Sequence, residues 1–182
     1  MLTNKVIFKI ILLALVCRGI YFIVAFRTDI LKSPERSISV VYQRAAYLYA
    51  WGYGYSQTLP GSEAYRDLNK NKAAIYQGFK ITHPVISPNG LYPTSHYPPG
   101  WPLTGAFLYK IFGFPVLESM IVLSIFFDLI ALYFLIRLLA NFFSSKLVLW
   151  SAILYSIFPP ILYLQVNGSA DSFMPGFIIL MA

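Results

Sequence analysis

The fold of this chain is decided by the stretch Ser95-His96-Tyr97-Pro98-Pro99-Gly100-Trp101-Pro102-Leu103. Its diproline cannot lie inside a helix, because proline lacks the N–H donor and its ring clashes with the preceding turn. The first turn of a helix does tolerate proline, so a helix can begin directly after it. The stretch closes a long polar segment and opens a series of apolar ones. It therefore predicts a stiff aromatic element at a boundary between water and lipid.

The composition places the chain in the membrane class. Hydrophobic residues make up 58% and charged residues only 12%, and the mean hydropathy is +0.64, which is too apolar for an ordinary soluble domain. The net charge of +7 would suit nucleic acid. However, the basic residues are scattered and several flank apolar spans, so we expect them to set orientation in a membrane, with no nucleic-acid partner. Cys17 is the single cysteine, so no intramolecular disulfide can form.

Three segments are long enough to cross a bilayer: Val6–Phe26, Leu117–Leu138 and Leu147–Val166. At about 1.5 Å per residue each covers roughly 30 Å, the thickness of the hydrocarbon core. A fourth apolar segment begins at Phe173 and stops with the chain, so we expect an N-terminal piece of a longer protein or a truncated gene product. The first segment is too long for a cleaved signal peptide, and it carries Arg18.

The expected fold is all-α, a polytopic membrane bundle with a large first outer loop. Residues 1–26 are the first transmembrane helix, 27–113 the outer loop with juxtamembrane helices, and 114–182 transmembrane helices two, three and a truncated fourth. Basic residues favour the cytoplasmic side of a membrane. Lys5 and Lys9 precede or enter the first span, and Arg137 and Lys146 bracket the link between the second and third. The loop 27–113 is therefore expected on the outer face.

Two segments of this outer loop have helical character. Trp101–Phe112 is apolar but short for a crossing, so we expect an interfacial or re-entrant helix ending at Gly113, with a full crossing as the alternative. Ser39–Trp51 has apolar and aromatic residues at helical spacing, and Gly52 follows it. That helix either lies flat on the membrane surface or forms the core of a small outer subdomain.

Several short motifs resemble one superfamily. They are Tyr42-Gln43-Arg44-Ala45-Ala46, Gly52-Tyr53-Gly54-Tyr55, His96-Tyr97-Pro98-Pro99-Gly100-Trp101-Pro102-Leu103 running to Phe112-Gly113, and Asn167-Gly168-Ser169-Ala170-Asp171. In this order the chain resembles the N-terminal part of the GT-C glycosyltransferases, in the bacterial protein-mannosyltransferase-like or aminoarabinose-transferase-like branch. Members are polytopic enzymes that move a sugar from a polyprenyl-phosphate carrier to an acceptor on the outer face.

The resemblance implies partners and a location. The partners are the lipid bilayer, a polyprenyl-phosphate sugar donor and an acceptor protein or glycolipid, and the location is the bacterial inner (plasma) membrane. The motif ending in Asp171 is similar to an outer turn in which an acid helps to hold a divalent cation, so Asp171 is the metal candidate, with Mg²⁺ or Mn²⁺ as the ion. The alternative role for Asp171 is an N-cap for the helix that begins at Phe173.

The chemistry of such a transfer needs a base and positive charge. A general base takes the proton of the acceptor hydroxyl, and cations stabilise the departing phosphate. The family places an aspartate shortly before the position of Tyr42, but this chain has no acid over residues 37–41. Glu35 is therefore the catalytic candidate, unless this copy is impaired. Arg44, His96 and Tyr97 are the substrate-binding candidates, although a lone histidine also serves as a structural hydrogen bonder.

Two further expectations concern the activity of the chain and the charges inside its apolar spans. The isolated 182 residues should show no sugar transfer. The alternative to an enzyme is a non-catalytic polytopic protein, either a transporter fragment or a degenerate scaffolding copy.

Arg18 and Asp128 lie near the middles of the first and second spans, where charges usually find a partner. We expect either an Arg18–Asp128 ion pair or separate bonds from each to backbone, hydroxyls or water.

Overall fold

The computed structural model describes residues 3–28, 38–70, 85–94 and 98–166. These residues are mostly helical and form two compact units. The first unit comprises Met1–Leu31 with Ile121–Ala182, and the second comprises Lys32–Met120. The helices are α1 (Asn4–Arg27), α2 (Ile38–Ala50), α3 (Glu63–Lys70), α4 (Gly100–Phe112), α5 (Val116–Leu139), α6 (Ser145–Ile157) and α7 (Pro159–Val166), and the strands are β1 (Ser56–Thr58) and β2 (Leu91–Pro93).

Two helices are long and apolar enough to cross a membrane, namely α1 over Asn4–Ala25 and α5 over Val116–Leu139. They coincide with the first two predicted spans to within two residues at each end. Only 22% of the apolar window of α1 and 39% of that of α5 is buried inside the structure. Most of the apolar surface of both helices is therefore left open by the described part of the chain.

The third predicted span is not one continuous helix. Over Leu147–Val166 the structure has α6, which ends at Ile157, and the short helix α7, which begins at Pro159. Pro159 and Pro160 lack the N–H donors that would continue the hydrogen-bond ladder of α6, so the helix breaks at Phe158. Neither piece alone has the length of about 20 residues that a crossing needs.

The first unit has an apolar core built from one face of each of three helices. Its buried members are Ile7, Ile10 and Ala14 of α1, Leu132 and Ile136 of α5, and Val148 and Ala152 of α6. The residues on each helix are spaced three or four apart, which places them on the same side. α1 packs against α6 and also against α7.

The second unit is built on α2 packed against α4, and it corrects the all-α expectation. β1 and β2 form a two-stranded antiparallel sheet in which Gln57 pairs with Tyr92. The helix predicted over Ser39–Trp51 is confirmed as α2. α4 ends at Phe112, as predicted, with Gly113 in the left-handed conformation at φ 69°. Its 13 residues extend about 20 Å, shorter than the roughly 30 Å of a bilayer core.

Candidate functional site

Arg44 is the one predicted site residue that lies within the described part of the chain. It projects from α2, and its Nη2 donates to the side-chain oxygen of Asn69 on α3 at 3.2 Å. The guanidinium carbon lies 5.5 Å from the centroid of the Tyr65 ring, in cation–π geometry. Arg44 therefore links α2 to α3, and because a guanidinium has five N–H donors, this link leaves donors for an anion.

The other predicted site residues fall outside the described ranges. These are Glu35 for the base, His96 and Tyr97 for the substrate, and Asp171 for the metal. Within the ranges that are described, no group of three or more His, Cys, Asp or Glu side chains could hold a metal ion. The roles assigned to all four residues, and the divalent cation itself, stay predictions.

The two motif-bearing helices of the second unit meet around Tyr47. Tyr47 of α2 is completely buried, its ring stacks on Trp51 at 5.2 Å and meets Tyr109 of α4 edge-on at 5.0 Å. Its hydroxyl accepts a hydrogen bond from the N–H of Val116 at 3.3 Å. That N–H is one of the donors that the start of α5 leaves without a helical partner. Burial raises the pKa of the Tyr47 hydroxyl, so this group stays a neutral structural hydrogen bonder.

A groove lies where α2 and α4 both end. It has a volume of about 340 Å³ and is lined by Trp51, Tyr109 and Phe112, with Lys110 as its cation. This volume is at the small end of the roughly 300–1,000 Å³ of small-molecule sites. The C-termini of both helices carry partial negative charge, which disfavours an anion here except at Lys110. The groove therefore suits a neutral or aromatic group better than a phosphate.

The residues just before β2 are held by polar contacts to α3. The Asp67 carboxylate accepts the N–H of Ser87 at 3.0 Å, and Glu63 accepts from the Ser87 hydroxyl at 3.0 Å and from the Asn89 amide at 3.1 Å. The Ser87 N–H lowers the pKa of Asp67, and the neighbouring Lys70 acts in the same direction. These acids have structural partners, so they are weaker candidates for a catalytic base than an acid without such contacts.

The buried charges of the first unit form a network. The Nε of Arg18 donates to Asp128 Oδ2 at 2.8 Å, and its Nη2 lies 2.5 Å from the same oxygen. The side chains are 1% and 4% exposed. The predicted Arg18–Asp128 ion pair is thus confirmed. Tyr155 of α6, which the sequence analysis did not identify, donates its hydroxyl to Asp128 Oδ1 at 2.5 Å, and Arg18 Cζ lies 5.7 Å from its ring centroid.

Arg18 also donates hydrogen bonds to two backbone carbonyl oxygens. Its Nη1 donates to Ala14 O on α1 at 3.1 Å and to Ser156 O at 3.4 Å. In a continuous helix Ser156 O would accept from the N–H of residue 160, which is proline and has none. The network therefore holds together a charge on α1, an acid on α5 and the broken end of α6.

Glu118 is a second residue that the sequence analysis missed. It lies in the first turn of α5, and its Oε2 is buried without a hydrogen-bond partner among the described residues. An acid at a helix N-terminus is favoured by the helix dipole. The signal available in the sequence was this acid three residues after Pro115, at the start of an otherwise apolar span.

No family model, curated protein or solved structure matches the chain.

Proposed function

We propose that this chain is a membrane glycosyltransferase of the GT-C type, or part of one, that moves a sugar from a polyprenyl-phosphate carrier to an acceptor. The observation that carries the proposal is the packing of α2 on α4 around Tyr47. This packing joins in one unit two of the motif segments on which the resemblance rests. They are Tyr42 to Tyr55 and the described part, Pro98 to Gly113, of the segment that begins at His96.

The exposed apolar surface of α1 and α5 supports a location in a membrane. The core helix of a soluble protein would be mostly buried, whereas the apolar windows of these helices are 22% and 39% buried. Lipid can cover such surface, and water cannot without a large cost. We place the chain in the bacterial inner membrane with the second unit on the outer face, where lipid-linked sugars are used.

The proposed chemistry divides between residues of the segment 27–113 and Asp171. Glu35 takes the proton of the acceptor hydroxyl as general base. Arg44, with donors beyond its bond to Asn69, binds the phosphate of the carrier together with His96 and Tyr97. A divalent cation held with the help of Asp171 would add positive charge for the departing phosphate.

The test is transfer of a labelled sugar from a set of polyprenyl-phosphate donors by membranes that contain the intact gene product. Transfer from at least one donor is expected, and Glu35→Gln should reduce turnover by about a hundredfold or more. Glu63→Gln is the matched control, because Glu63 is an exposed acid whose hydrogen bonds within the described residues go to Ser87 and Asn89. Equal turnover for the Glu35 variant would remove Glu35 as the base. Absence of transfer from every donor would contradict the function.

One observation favours the alternative of a transporter. Transporters use helices that break at the membrane midplane beside charged groups, and α6 breaks at Phe158 beside the Arg18–Asp128 pair. Transporters use such breaks in pairs, and the described residues contain one. Uptake of a solute by vesicles, abolished by Asp128→Asn and without any sugar transfer, would support the transporter instead.

A further inference from the structure

A long apolar groove runs between α1 and α5 in the first unit. It has a volume of about 740 Å³ and is walled by Ile7, Phe8 and Ile11 of α1 and by Phe126, Leu129 and Tyr133 of α5. Ile7 and Phe8 lie four and three positions before Ile11, and Phe126, Leu129 and Tyr133 are spaced three and four apart, so each set lies on one side of its helix. We call this feature the α1–α5 groove.

The described part of the chain leaves the α1–α5 groove open. Phe8 is 67% exposed and Phe126 is 56% exposed, although both are large apolar side chains. α1 packs mainly against α6 and α7. Ile7 belongs to that core, whereas its neighbour Phe8 faces outward into the groove. The groove is within the size range of sites that bind small molecules, roughly 300–1,000 Å³.

A fixed cation stands at one end of the groove. The Nη2 of Arg137 donates to Asn4 Oδ1 at 2.6 Å, and its guanidinium carbon lies 5.5 Å from the Tyr133 ring centroid. Asn4 and Tyr133 both line the groove. Among the described residues no carboxylate lies within ion-pair distance of Arg137. The side chain is therefore held in place, and no acid of the described residues compensates its charge.

The position of this cation matches the depth of lipid headgroups. Asn4 is the first residue of α1, and Arg137 lies in the last turn of α5. The ends of membrane-spanning helices lie near the boundary between hydrocarbon and headgroups, where Arg side chains meet lipid phosphates. The apolar wall then extends from that boundary into the hydrocarbon.

We propose that the α1–α5 groove binds one anionic phospholipid, with an acyl chain along the apolar wall and the phosphate on Arg137. The charge complementarity selects this occupant, because a helix of another protein would bury Arg137 without supplying the phosphate that its remaining donors fit. The proposal goes beyond sugar transfer and requires only that α1 and α5 lie in a membrane. It predicts a lipid site in the leaflet where α1 begins and α5 ends.

The test is native mass spectrometry of the full chain released from detergent, with phosphatidylglycerol or phosphatidylcholine of identical acyl chains added at matched concentrations. Wild type should retain one phosphatidylglycerol in preference to phosphatidylcholine. Arg137→Gln should reduce that retention about fivefold, the effect of one cation on anionic-lipid attraction. Lys146→Gln is the matched control, because it removes an exposed charge near the same end of α5 without lining the groove. Equal loss in both variants, or equal retention of both lipids by wild type, would overturn the proposal.

A second variant tests the apolar wall independently of the charge. Ile11→Trp should fill part of the groove and reduce retention of both lipids, while the protein keeps its helical circular dichroism. Inorganic phosphate alone should not displace phosphatidylglycerol at the concentrations used, because the acyl chain supplies most of the attachment. Displacement by phosphate, or unchanged retention in Ile11→Trp, would contradict a lipid site. The assay contains no sugar donor, so its outcome is separate from that of the transfer assay.

Discussion

The guanidinium of Arg18 donates through Nη1 to the backbone carbonyl oxygen of Ser156, with 3.4 Å between the two atoms. In an uninterrupted helix this oxygen would accept from residue 160, which is a proline. Arg18 replaces the donor that Pro160 lacks, while its Nε binds Asp128. One buried side chain thus stabilises both the break between α6 and α7 and the acid on α5.

We predict that Arg18→Leu lowers the free energy of unfolding by about 3–5 kcal/mol, because it leaves the buried Asp128 carboxylate without its cation. Asp128→Leu should have a similar effect, because it leaves the buried Arg18 guanidinium without its carboxylate partner. Changing both to Leu should recover much of the folded protein, since no unpaired charge is left. The measurement is a double-mutant cycle on unfolding in detergent, and strictly additive losses would show that the two side chains do not act as a pair.

The link between Arg18 and the helix break gives a second prediction. Replacing Pro159 and Pro160 by Ala restores the N–H donors, so Ser156 O no longer depends on Arg18. Arg18→Lys keeps the charge but loses the planar guanidinium, whose several N–H groups donate to Asp128 and to the carbonyl oxygens at the same time. Its destabilisation should therefore be smaller by about 1 kcal/mol in the Ala–Ala background. An equal penalty in both backgrounds would mean that the bond to Ser156 contributes nothing.

In the second unit the backbone at Gly90 lies close to the side chain of Ser62. Gly90 has φ +87°, and a Cβ added there would overlap the side chain of Ser62, whereas Gly61 has φ +76° and nothing within 4 Å of its added Cβ. Both Ala substitutions meet the left-handed penalty of about 1–2 kcal/mol. Gly90→Ala should cost about 1–3 kcal/mol more, from overpacking. Thermal unfolding measures the difference, and equal shifts for the two variants would contradict the close approach.

A pH dependence follows from Asp67, whose pKa is lowered by the bond from the Ser87 N–H and by Lys70. A carboxyl with a lowered folded-state pKa contributes stability that is present above its unfolded value, about 3.9, and is lost as the pH falls through the folded value. The protection of the Ser87 amide against hydrogen exchange should therefore fall as the pH drops below about 4. Asp67→Asn should lack this acid-dependent loss, and an unchanged pH profile in that variant would contradict the assignment.

The sequence predicted those features that depend on local pattern. Two long apolar runs became α1 and α5 within two residues of their expected ends, and α2 formed where aromatic and apolar residues recur at helical spacing. The Arg18–Asp128 pair was predictable because charges at equal depth in two apolar spans have few other partners. The third partner, Tyr155, was missed because tyrosine is common in apolar segments. Its need for a hydrogen-bond partner when buried was the available signal.

Some features were not predicted because they depend on contacts between residues far apart in the sequence. One other had a local signal in the sequence, but a second signal was given more weight. β1 and β2 are separated by more than thirty residues, and their pairing of Gln57 with Tyr92 has no local hairpin signature. The break at Phe158 did have a signal, the diproline at 159–160, but the apolar length of Leu147–Val166 was given more weight. Of the candidate site, only Arg44 has a described position, and its bond to Asn69 comes from tertiary packing of α2 and α3.

The central claim is that α1 and α5 cross a membrane and place the second unit on the outer face. Single cysteines in a background lacking Cys17 test it most directly. Lys70→Cys and Val85→Cys, both at exposed positions of the second unit, should react in intact cells with an impermeant thiol reagent. Phe142→Cys, exposed in the link between α5 and α6, should react only after the membrane is permeabilised. Labelling of position 142 in intact cells would contradict the account, because α4 would then have to cross the membrane and the second unit could not lie wholly outside.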